Sequence, residues 1–236
     1  MKNRTIAIVL SGGKGKRMGT TVSKQYLMLK NRPILSYALE SFEKSNIDEI
    51  ILVVGSGDKE FVQHEIVNKY NIKKVKAIVE GGNERYNSVY NALVYIDRMM
   101  SEVPLDNTYV LVHDGARPFI SVSDINIIIE EVIKEKACVL GVKAKDTIKL
   151  STGNNYVEST PDRSNVWQIQ TPQAFQFKIL KYSYDKIIDD NIKNMTDDSM
   201  VVETVSDIRI KLLEGSYTNI KITTPEDLMI GETLIK

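Results

Sequence analysis

The feature that most constrains the fold is a regular alternation of short apolar strands with amphipathic helical segments. Residues 5–10 form an apolar run rich in β-branched side chains, which is typical of a buried parallel strand. Pro33 then opens a helical pattern. Alternation of this kind requires right-handed crossovers, so the sequence predicts an α/β fold: a Rossmann-like, mostly parallel sheet with helices on both faces. Further strands are expected at 49–54, 75–79, 109–112, 138–142 and 207–213, and further helices at 59–70, 84–100, 124–136, 178–190, from 197 and from 225.

The alternation breaks between residues 145 and 163, where polar and apolar residues alternate around a Thr-Gly-Asn-Asn turn at 152–155. This pattern predicts a hairpin that projects from the sheet. A two-stranded hairpin is only marginally stable by itself, so we expect it to dock on another surface, such as a second subunit. Because no repeat or linker divides the chain, we predict one domain over residues 1–236 with a dimerisation arm at about 145–165.

A glycine-rich loop follows the first predicted strand and reads Ser-Gly-Gly-Lys-Gly-Lys-Arg-Met-Gly over residues 11–19. It fits neither the dinucleotide pattern G-x-G-x-x-G nor the Walker pattern G-x-x-x-x-G-K-[ST], so NAD binding and P-loop hydrolysis are not supported. The backbone N–H groups of such a turn can still surround an anion. Four cations lie in or near the loop: Lys14, Lys16, Arg17 and Lys24.

The charge distribution supports an anionic ligand at this loop. The first acidic residue is Glu40, and the 39 residues before it contain eight Lys and Arg. A triphosphate suits a loop that has cations and no carboxylate, although a tight turn with solvated lysines is the alternative. The whole chain has 31 Lys and Arg against 31 Asp and Glu, and this zero formal charge argues against a nucleic-acid binder.

Composition also limits the site chemistry and the cellular location. Cys138 is the only cysteine, which excludes an intramolecular disulfide and a Cys-based zinc site. The apolar run at 6–10 is too short for a signal peptide or a membrane span. We therefore expect a cytoplasmic protein that associates with neither nucleic acid nor membrane.

In open parallel sheets, ligands bind at the carboxyl ends of the strands. Asp114, in the sequence His-Asp-Gly-Ala-Arg-Pro, follows a predicted strand and is expected at the same edge as the glycine loop. A lone carboxylate there either binds Mg²⁺ together with phosphates or caps the next turn.

Two motifs near the C-terminal end of the sequence resemble helix starts. Thr-Asp-Asp at 196–198 fits an N-cap. Thr-Pro-Glu-Asp at 224–227 fits a helix start in which Glu226 and Asp227 have capping roles, and this leaves Lys221 as a candidate functional residue.

Taken in order, these motifs resemble those of one family. The glycine loop followed by Lys24-Gln25 is similar to the signature of nucleotide-sugar-type nucleotidyltransferases. With His-Asp-Gly-Ala-Arg-Pro, Gln-Thr-Pro-Gln, Thr-Asp-Asp and Asn-Ile-Lys-x-Thr-Thr-Pro-Glu-Asp-Leu, the chain from about residue 5 to residue 236 resembles 2-C-methyl-D-erythritol 4-phosphate cytidylyltransferases. The resemblance implies CMP transfer from CTP to that sugar-alcohol phosphate in the non-mevalonate isoprenoid pathway, with release of pyrophosphate. It also implies a Mg²⁺-dependent homodimer that exchanges the hairpin arm.

The resemblance further implies roles for individual residues. Arg17 and Lys24 match the transition-state stabilisers, and Arg163 and Lys221 match the pair that holds the acceptor phosphate, with Arg163 acting across the dimer interface. Asp114 matches the Mg²⁺ ligand. The nucleotide-binding positions are Ser11, Gly12, Gly13, Gly15, Gly82, Asn83 and Ser88. The resemblance assigns recognition of the cytosine to the segment 81–85 together with Ser88. The substrate-binding positions are Asp114, Arg117, Thr147, Arg163, Thr171, Thr196 and Lys221.

This reaction needs no protein nucleophile, because a phosphate oxygen of the acceptor attacks the α-phosphorus of CTP. Two alternatives stay open. Ribitol-5-phosphate cytidylyltransferases share the fold and the loop, but they tend to have Val where Ala116 stands and to depart from Thr-Asp-Asp. A non-catalytic nucleotide-binding module would be expected to lack Arg17, Lys24 or Lys221, and all three are present. Three positions depart from the family pattern without removing a catalytic group: Ser11, Ser23 and Asn83.

Overall fold

The computed structural model describes residues 3–13, 23–99 and 105–235, and a seven-stranded sheet forms its centre. The strands are β1 (Arg4–Ser11), β2 (Met28–Leu29), β3 (Arg32–Pro33), β4 (Glu49–Val54), β5 (Val75–Glu80), β6 (Thr108–Asp114), β7 (Ala137–Lys143), β8 (Leu150–Ser151), β9 (Val157–Ser159), β10 (Trp167–Gln176) and β11 (Lys211–Glu214). The large sheet has the order β11-β7-β10-β6-β1-β4-β5. Every neighbouring pair is parallel except the two that β10 forms with β6 and β7. The predicted mostly parallel α/β fold is confirmed.

Helices cover both faces of this sheet, as predicted. They are α1 (Ile34–Lys44), α2 (Lys59–Val62), α3 (Arg85–Met99), α4 (Val122–Glu135), α5 (Phe177–Asp189), α6 (Asp198–Val205) and α7 (Pro225–Leu234). One core contains α1 and α4, and the other contains α3, α5 and α6. In β1, Ala7 and Val9 belong to the first core and Ile6 and Ile8 to the second. This two-residue period is that of a strand buried on both faces, which explains why β1 reads as a continuous apolar run.

The strand β10 is the main element that the sequence pattern did not predict. It lies in the interior of the sheet, antiparallel to both neighbours, although it contains Pro172. A proline cannot donate to a strand ladder and is normally confined to edges or bulges. Here the register with β7 shifts between Ile169 and Gln173, so the proline lies in an irregular stretch, and the Thr171-Pro172 peptide bond is cis.

Other element bounds differ modestly from the predictions. The helix expected at 59–70 consists of α2 followed by a π-helical segment, Gln63–Asn68. The strand expected at 207–213 is shorter and corresponds to β11. Cys138 is buried in the first core, as expected of a packing residue. Within the described residues, no helix is both long and apolar enough to cross a membrane.

The predicted hairpin is present and consists of β8 and β9, which pair only with each other. Leu150, Tyr156 and Val157 are 50%, 74% and 63% exposed on it. Large apolar side chains at this exposure on a two-stranded hairpin leave apolar surface facing solvent in a single copy of the chain.

Candidate active site

Four strand ends meet at one edge of the sheet, because β1, β4, β5 and β6 are parallel. In the register, Ser11 is opposite Val54, Leu10 is opposite Asp114 and Val54 is opposite Glu80. The turns that follow these strands therefore begin side by side at the carboxyl edge. The described start of the predicted glycine loop, residues 11–13, lies there with the segment after β5 and Asp114, and this is where ligands bind in open α/β sheets.

The glycine turn after β1 packs closely against the neighbouring strand. Ser11 is buried, and its hydroxyl donates a 3.0 Å hydrogen bond to the carbonyl of Val53. A Cβ on Gly12 would lie 3.2 Å from the carbonyl oxygen of Val54, so a larger residue would crowd this close approach of the backbone to β4. Gly13 is exposed. Gly15 and Arg17, for which nucleotide-binding and catalytic roles are predicted, lie outside the described residues.

The chain is anchored where it returns from the loop. Lys24 opens a short 3-10 helix, Lys24–Tyr26. The amide of Gln25 is buried and donates to the carbonyl of Ser11, which ties the return of the loop to its start. The hydroxyl of Tyr26 donates to Asp58 at 3.0 Å. Burial and the Asp58 charge raise the pKa of Tyr26, so its phenol stays protonated and remains a donor. These contacts fix the backbone next to Lys24.

The turn after β5 is organised around Ser88. The Ser88 hydroxyl accepts from the Gly82 N–H at 3.0 Å and donates to the Glu84 carbonyl at 3.2 Å. A Cβ on Gly82 would lie 2.4 Å from Cβ of Asn87, so no other residue fits this turn without a shift. Gly82 and Asn83 are exposed on its rim. The turn thus presents backbone groups in a fixed arrangement at the same edge as the glycine loop.

Asp114, at the end of β6, is the centre of the charged part of the site. Its Oδ2 lies 2.7 Å from Nζ of Lys221, and its Oδ1 lies 3.2 Å from Nε of Arg85. Burial by itself would raise the pKa of the Asp114 carboxyl, but the Arg85 and Lys221 cations hold that pKa well below its usual range. The carboxylate is therefore ionised near neutral pH.

A chain of hydrogen bonds supports Asp114 from behind. Its N–H donates to Oγ1 of Thr171 at 3.1 Å, and that hydroxyl lies 3.0 Å from Nδ1 of His113. Nε2 of His113 lies 3.2 Å from the Arg117 carbonyl. Burial lowers the pKa of His113 to about 4, so the ring is neutral near pH 7. Because a carbonyl only accepts, we assign the proton to Nε2, and Nδ1 then accepts from Thr171.

Arg117 lies beside this chain, on the turn after β6. Its Nη1 donates to the Asn219 carbonyl at 2.7 Å. Among the residues described, Nε of Arg117 and Oδ1 of Asn219 are buried without a hydrogen-bond partner. The Asn219 amide donates to the Thr171 carbonyl at 3.0 Å. Nε of Arg117 is thus a donor that no described residue satisfies, although it is shielded from solvent.

Among the described residues, three predicted substrate residues have no hydrogen bond or ion pair to Asp114 or Lys221. Thr147 and Thr196 are exposed, and the hydroxyl of Thr196 contacts Sδ of Met200 at 3.3 Å. Arg163 is exposed at the end of the hairpin, where its Nη1 donates to the Lys145 carbonyl at 2.7 Å. Within the described part of the chain, no hydrogen bond or ion pair joins Arg163 to Lys221. One copy of the chain thus does not bring this predicted pair together.

Sequence reasoning did not identify three contributors to the site: the side chains of Arg85, Asp198 and Tyr184. That the segment 81–85 reads the cytosine stays a prediction. The side chain of Arg85 joins Asp114 to Asp198, and Asp198 also contacts Tyr184. Asp197 caps α6, as expected, by accepting from the Met200 N–H. Thr224 and Asp227 form a capping box at the start of α7, so the predicted capping role of Asp227 is confirmed.

Comparison with known proteins gives a consistent result. The family model described as 2-C-methyl-D-erythritol 4-phosphate cytidylyltransferase matches residues 5–236. The enzyme of that name from Lachnoclostridium phytofermentans is 48% identical over 233 residues, which cover 99% of this chain and 97% of the relative. The one from Alkaliphilus metalliredigens is 46% identical over 234 residues, covering 99% and 93%.

Solved structures with the same fold carry the same activity in their names. The crystal structure of 4-diphosphocytidyl-2C-methyl-D-erythritol synthase from Anaerococcus prevotii matches with a TM-score of 0.83 and 32% identity, over 99% of this chain and 96% of that one. The 2-C-methyl-D-erythritol 4-phosphate cytidylyltransferase of Francisella tularensis matches with a TM-score of 0.78 and 30% identity, over 98% and 100%.

Proposed function

Because the chain belongs to the 2-C-methyl-D-erythritol 4-phosphate cytidylyltransferase family, we propose that the carboxyl edge of its sheet is the active site of that reaction. The enzyme is a nucleotidyltransferase that makes 4-diphosphocytidyl-2-C-methyl-D-erythritol from CTP and 2-C-methyl-D-erythritol 4-phosphate, a step of isoprenoid synthesis. The observation on which the assignment of the site rests is the Lys221–Asp114 pair, because it places a cation and a carboxylate beside the glycine turn. We interpret the chain as one cytidylyltransferase domain, which acts in the cytoplasm, where CTP is available.

The reaction is a displacement at phosphorus. An oxygen of the acceptor phosphate forms a bond to the α-phosphorus of CTP as the bond to pyrophosphate breaks, and no protein nucleophile takes part. The main task of the site is therefore to position two polyanions and to neutralise charge that develops in the transition state. Lys24 and Arg17 would stabilise the α-phosphate and the leaving pyrophosphate, while the backbone from Ser11 through Gly15 surrounds the phosphates.

Lys221 and Arg117 are suited to the acceptor phosphate. The side chain of Lys221 is 36% exposed and forms an ion pair with Asp114. An incoming phosphate can attract the Lys221 ammonium away from this carboxylate. Arg117 brings a partly buried positive charge close to Asp114. Thr171 would act indirectly, since its hydroxyl already contacts the Asp114 N–H and the His113 ring. Thr147 and Thr196 are exposed and free to contact the acceptor.

The cytosine would lie on the turn after β5. Gly82 and Asn83 are exposed on its rim, and Ser88 accepts a hydrogen bond from the Gly82 N–H. Specificity for a base by backbone groups requires a turn of fixed shape. The close packing of Gly82 against Asn87 supplies that shape.

We propose Asp114 as the Mg²⁺ ligand, and the residues present fit that ion. Mg²⁺ usually binds one or two carboxylates and completes its shell with water and substrate phosphates. The described residues contain no group of three His, Cys, Asp or Glu side chains that could hold a metal by themselves. The ion would neutralise charge on the triphosphate. For this, Lys221 or Arg85 has to release one oxygen of Asp114.

We propose that the hairpin is a dimerisation arm. Its exposed apolar residues Leu150, Tyr156 and Val157 need a covering surface. Arg163, at the end of the arm, is exposed, so a second subunit can receive it. This arrangement would supply Arg163 to the partner's Lys221, which explains why one chain does not pair them.

The assignment is tested by pyrophosphate release from CTP with two acceptors, 2-C-methyl-D-erythritol 4-phosphate and ribitol 5-phosphate. We expect turnover of the first, and preference for the second would contradict the assignment. Lys24→Ala should lower kcat by about 100-fold or more, because one preorganised cation is lost. The matched control Lys44→Ala, an exposed lysine of α1, should change kcat less than about 2-fold. An unchanged rate in Lys24→Ala would support a non-catalytic nucleotide-binding module.

A further inference from the structure

Arg85 connects the reaction site to the interior of the protein. It lies in the first turn of α3, and its guanidinium contacts two carboxylates from different elements. Nε lies 3.2 Å from Oδ1 of Asp114. Nη1 and Nη2 form a bidentate pair with Asp198, at 3.0 and 2.7 Å. A bidentate pair fixes the plane of the guanidinium, so the direction of Nε is fixed as well.

Asp198 is itself held rigidly. It is fully buried, and the Tyr184 hydroxyl donates to its Oδ1 at 2.6 Å. Its backbone N–H and that of Ser199 both donate to Oε1 of Gln173, each at 2.9 Å. A buried carboxylate with this many partners has a single orientation. Since Asp198 is inaccessible to substrate, its effect on the reaction must pass through Arg85.

The two oxygens of Asp114 therefore have different partners. Oδ1 contacts Arg85, which Asp198 anchors from the interior. Oδ2 contacts Lys221, whose more exposed side chain ends a flexible four-carbon stem. Of the two cations, Lys221 is the one that can leave.

Among the described residues, Lys221 is the ion-pair partner of Oδ2 of Asp114, and Arg85 is the partner of Oδ1. Two cations, Lys221 and Arg85, face two carboxylates, Asp114 and Asp198. When Lys221 moves to an acceptor phosphate, Oδ2 of Asp114 loses its ion-pair partner. The freed carboxylate oxygen favours another cation in place of Lys221, whose side chain is the more exposed of the two that contact Asp114.

We propose, on the basis of the function proposed above, that Arg85 is a positioning residue for CMP transfer. Anchored by Asp198, it fixes Oδ1 of Asp114 and leaves Oδ2 as the oxygen that exchanges Lys221 for the cation accompanying the nucleotide. The segment around Arg85 thus has two tasks, since its backbone shapes the base-binding turn and its side chain orients the carboxylate.

The test uses Arg85→Lys, which keeps the positive charge but cannot bridge two carboxylates in the same way. Mg²⁺ binding is measured by titration calorimetry with cytidine 5′-(α,β-methylene)triphosphate present, together with kcat and the KM for CTP. We expect Mg²⁺ to bind about 10-fold more weakly or worse, because groups that orient a metal ligand typically contribute this much. We expect kcat to fall by about 10- to 100-fold, with a KM for CTP within about 3-fold of the original. Arg98→Lys, at the exposed end of the same helix, is the control and should change neither quantity.

A purely structural role gives a different result. Arg85→Lys would then lower the melting temperature while Mg²⁺ binding and kcat stayed unchanged, and this outcome overturns the proposal. If Arg85→Lys does not fold, Asp198→Asn serves instead, because it loosens the anchor without changing Asp114. Asp198→Asn should weaken Mg²⁺ binding and lower kcat, as expected for Arg85→Lys. Unchanged Mg²⁺ binding and kcat would again overturn the proposal. Failure of the proposed function is distinguishable, since the unmodified enzyme would then make no product or Asp114→Asn would keep its full rate.

Discussion

Nζ of Lys221 lies 2.7 Å from Oδ2 of Asp114, although the two residues come from distant parts of the sequence. The backbone next to this pair is also joined, because the Ile222 N–H donates to the Ala116 carbonyl at 2.9 Å. Lys221 is therefore already beside the end of β6 before any substrate binds. Little reorganisation is needed to bring its charge to a phosphate at this edge.

Removing this lysine should impair the use of the acceptor more than the binding of CTP. In Lys221→Ala, kcat/KM for the acceptor should fall by about 100-fold or more, since a preorganised cation on a transferring phosphate has an effect of this size. The KM for CTP should stay within about 3-fold, and the fold should persist because Arg85 still pairs with Asp114. Steady-state kinetics with Lys211→Ala as a surface control measures this. Equal losses toward both substrates would assign Lys221 a different role.

The buried ring of His113 predicts a specific pH dependence of stability. The folded protein binds the His113 proton only near pH 4, whereas the unfolded chain binds it near 6.5, the ordinary pKa of a histidine side chain. Unfolding therefore takes up a proton between these values, and the free energy of unfolding falls as the pH drops. From pH 7 to pH 5 the His113 contribution should be about 2 kcal/mol. Urea unfolding of His113→Gln should show a pH-dependent loss that is smaller by this amount. Identical pH dependence in both proteins would refute the assignment of a neutral buried ring.

The arm predicts complementation between two inactive variants. If Arg163 acts in the partner's site, Arg163→Ala and Lys221→Ala subunits should form a mixed dimer with one intact site and one doubly defective site. Mixing the two proteins under conditions of subunit exchange should restore activity far above that of either alone. If Arg163 acts within its own chain, every site in the mixture has one defect, and no recovery should occur. Mass measurement by light scattering shows whether the dimer forms at all.

The capping box at α7 should affect stability and leave catalysis unchanged. The Thr224 hydroxyl accepts from the Asp227 N–H, and Asp227 accepts from the Thr223 and Thr224 N–H groups. Thr224→Ala should lower the free energy of unfolding by about 1 kcal/mol, the usual effect of a lost N-cap. Its kcat should remain within about 2-fold of the original. A large loss of kcat at unchanged stability would place Thr224 in the reaction site instead.

Local sequence patterns predicted the parts of the structure that depend on local physics. The apolar run of β1 predicts a strand buried on both faces, and its alternating contacts with two cores confirm this. Asp114 was placed correctly because a residue after a parallel strand must lie at the carboxyl edge. Helix starts were also predictable, since Asp197 and Thr224 cap their own helices through neighbouring backbone groups.

Features that depend on tertiary contacts were not predictable in this way. Strand β10 was missed because Pro172 argues against a central strand, and only the bulge in its pairing with β7 accommodates the proline. The link from Asp114 through Arg85 to Asp198 joins β6, α3 and α6, and no spacing in the sequence indicates it. The contacts proposed for Arg163 could not be predicted from one chain either, because its proposed partner, Lys221, would belong to another subunit.

The central claim is that CTP and the acceptor phosphate meet at the edge formed by the glycine turn, Asp114 and Lys221. A crystal structure with Mg²⁺, cytidine 5′-(α,β-methylene)triphosphate and 2-C-methyl-D-erythritol 4-phosphate tests it most directly. The account predicts an acceptor phosphate oxygen about 3–3.5 Å from the α-phosphorus, with Lys221 on the acceptor phosphate instead of Asp114 and Lys24 against the triphosphate. A triphosphate bound elsewhere, or an acceptor bound while Lys221 stays on Asp114, would contradict it.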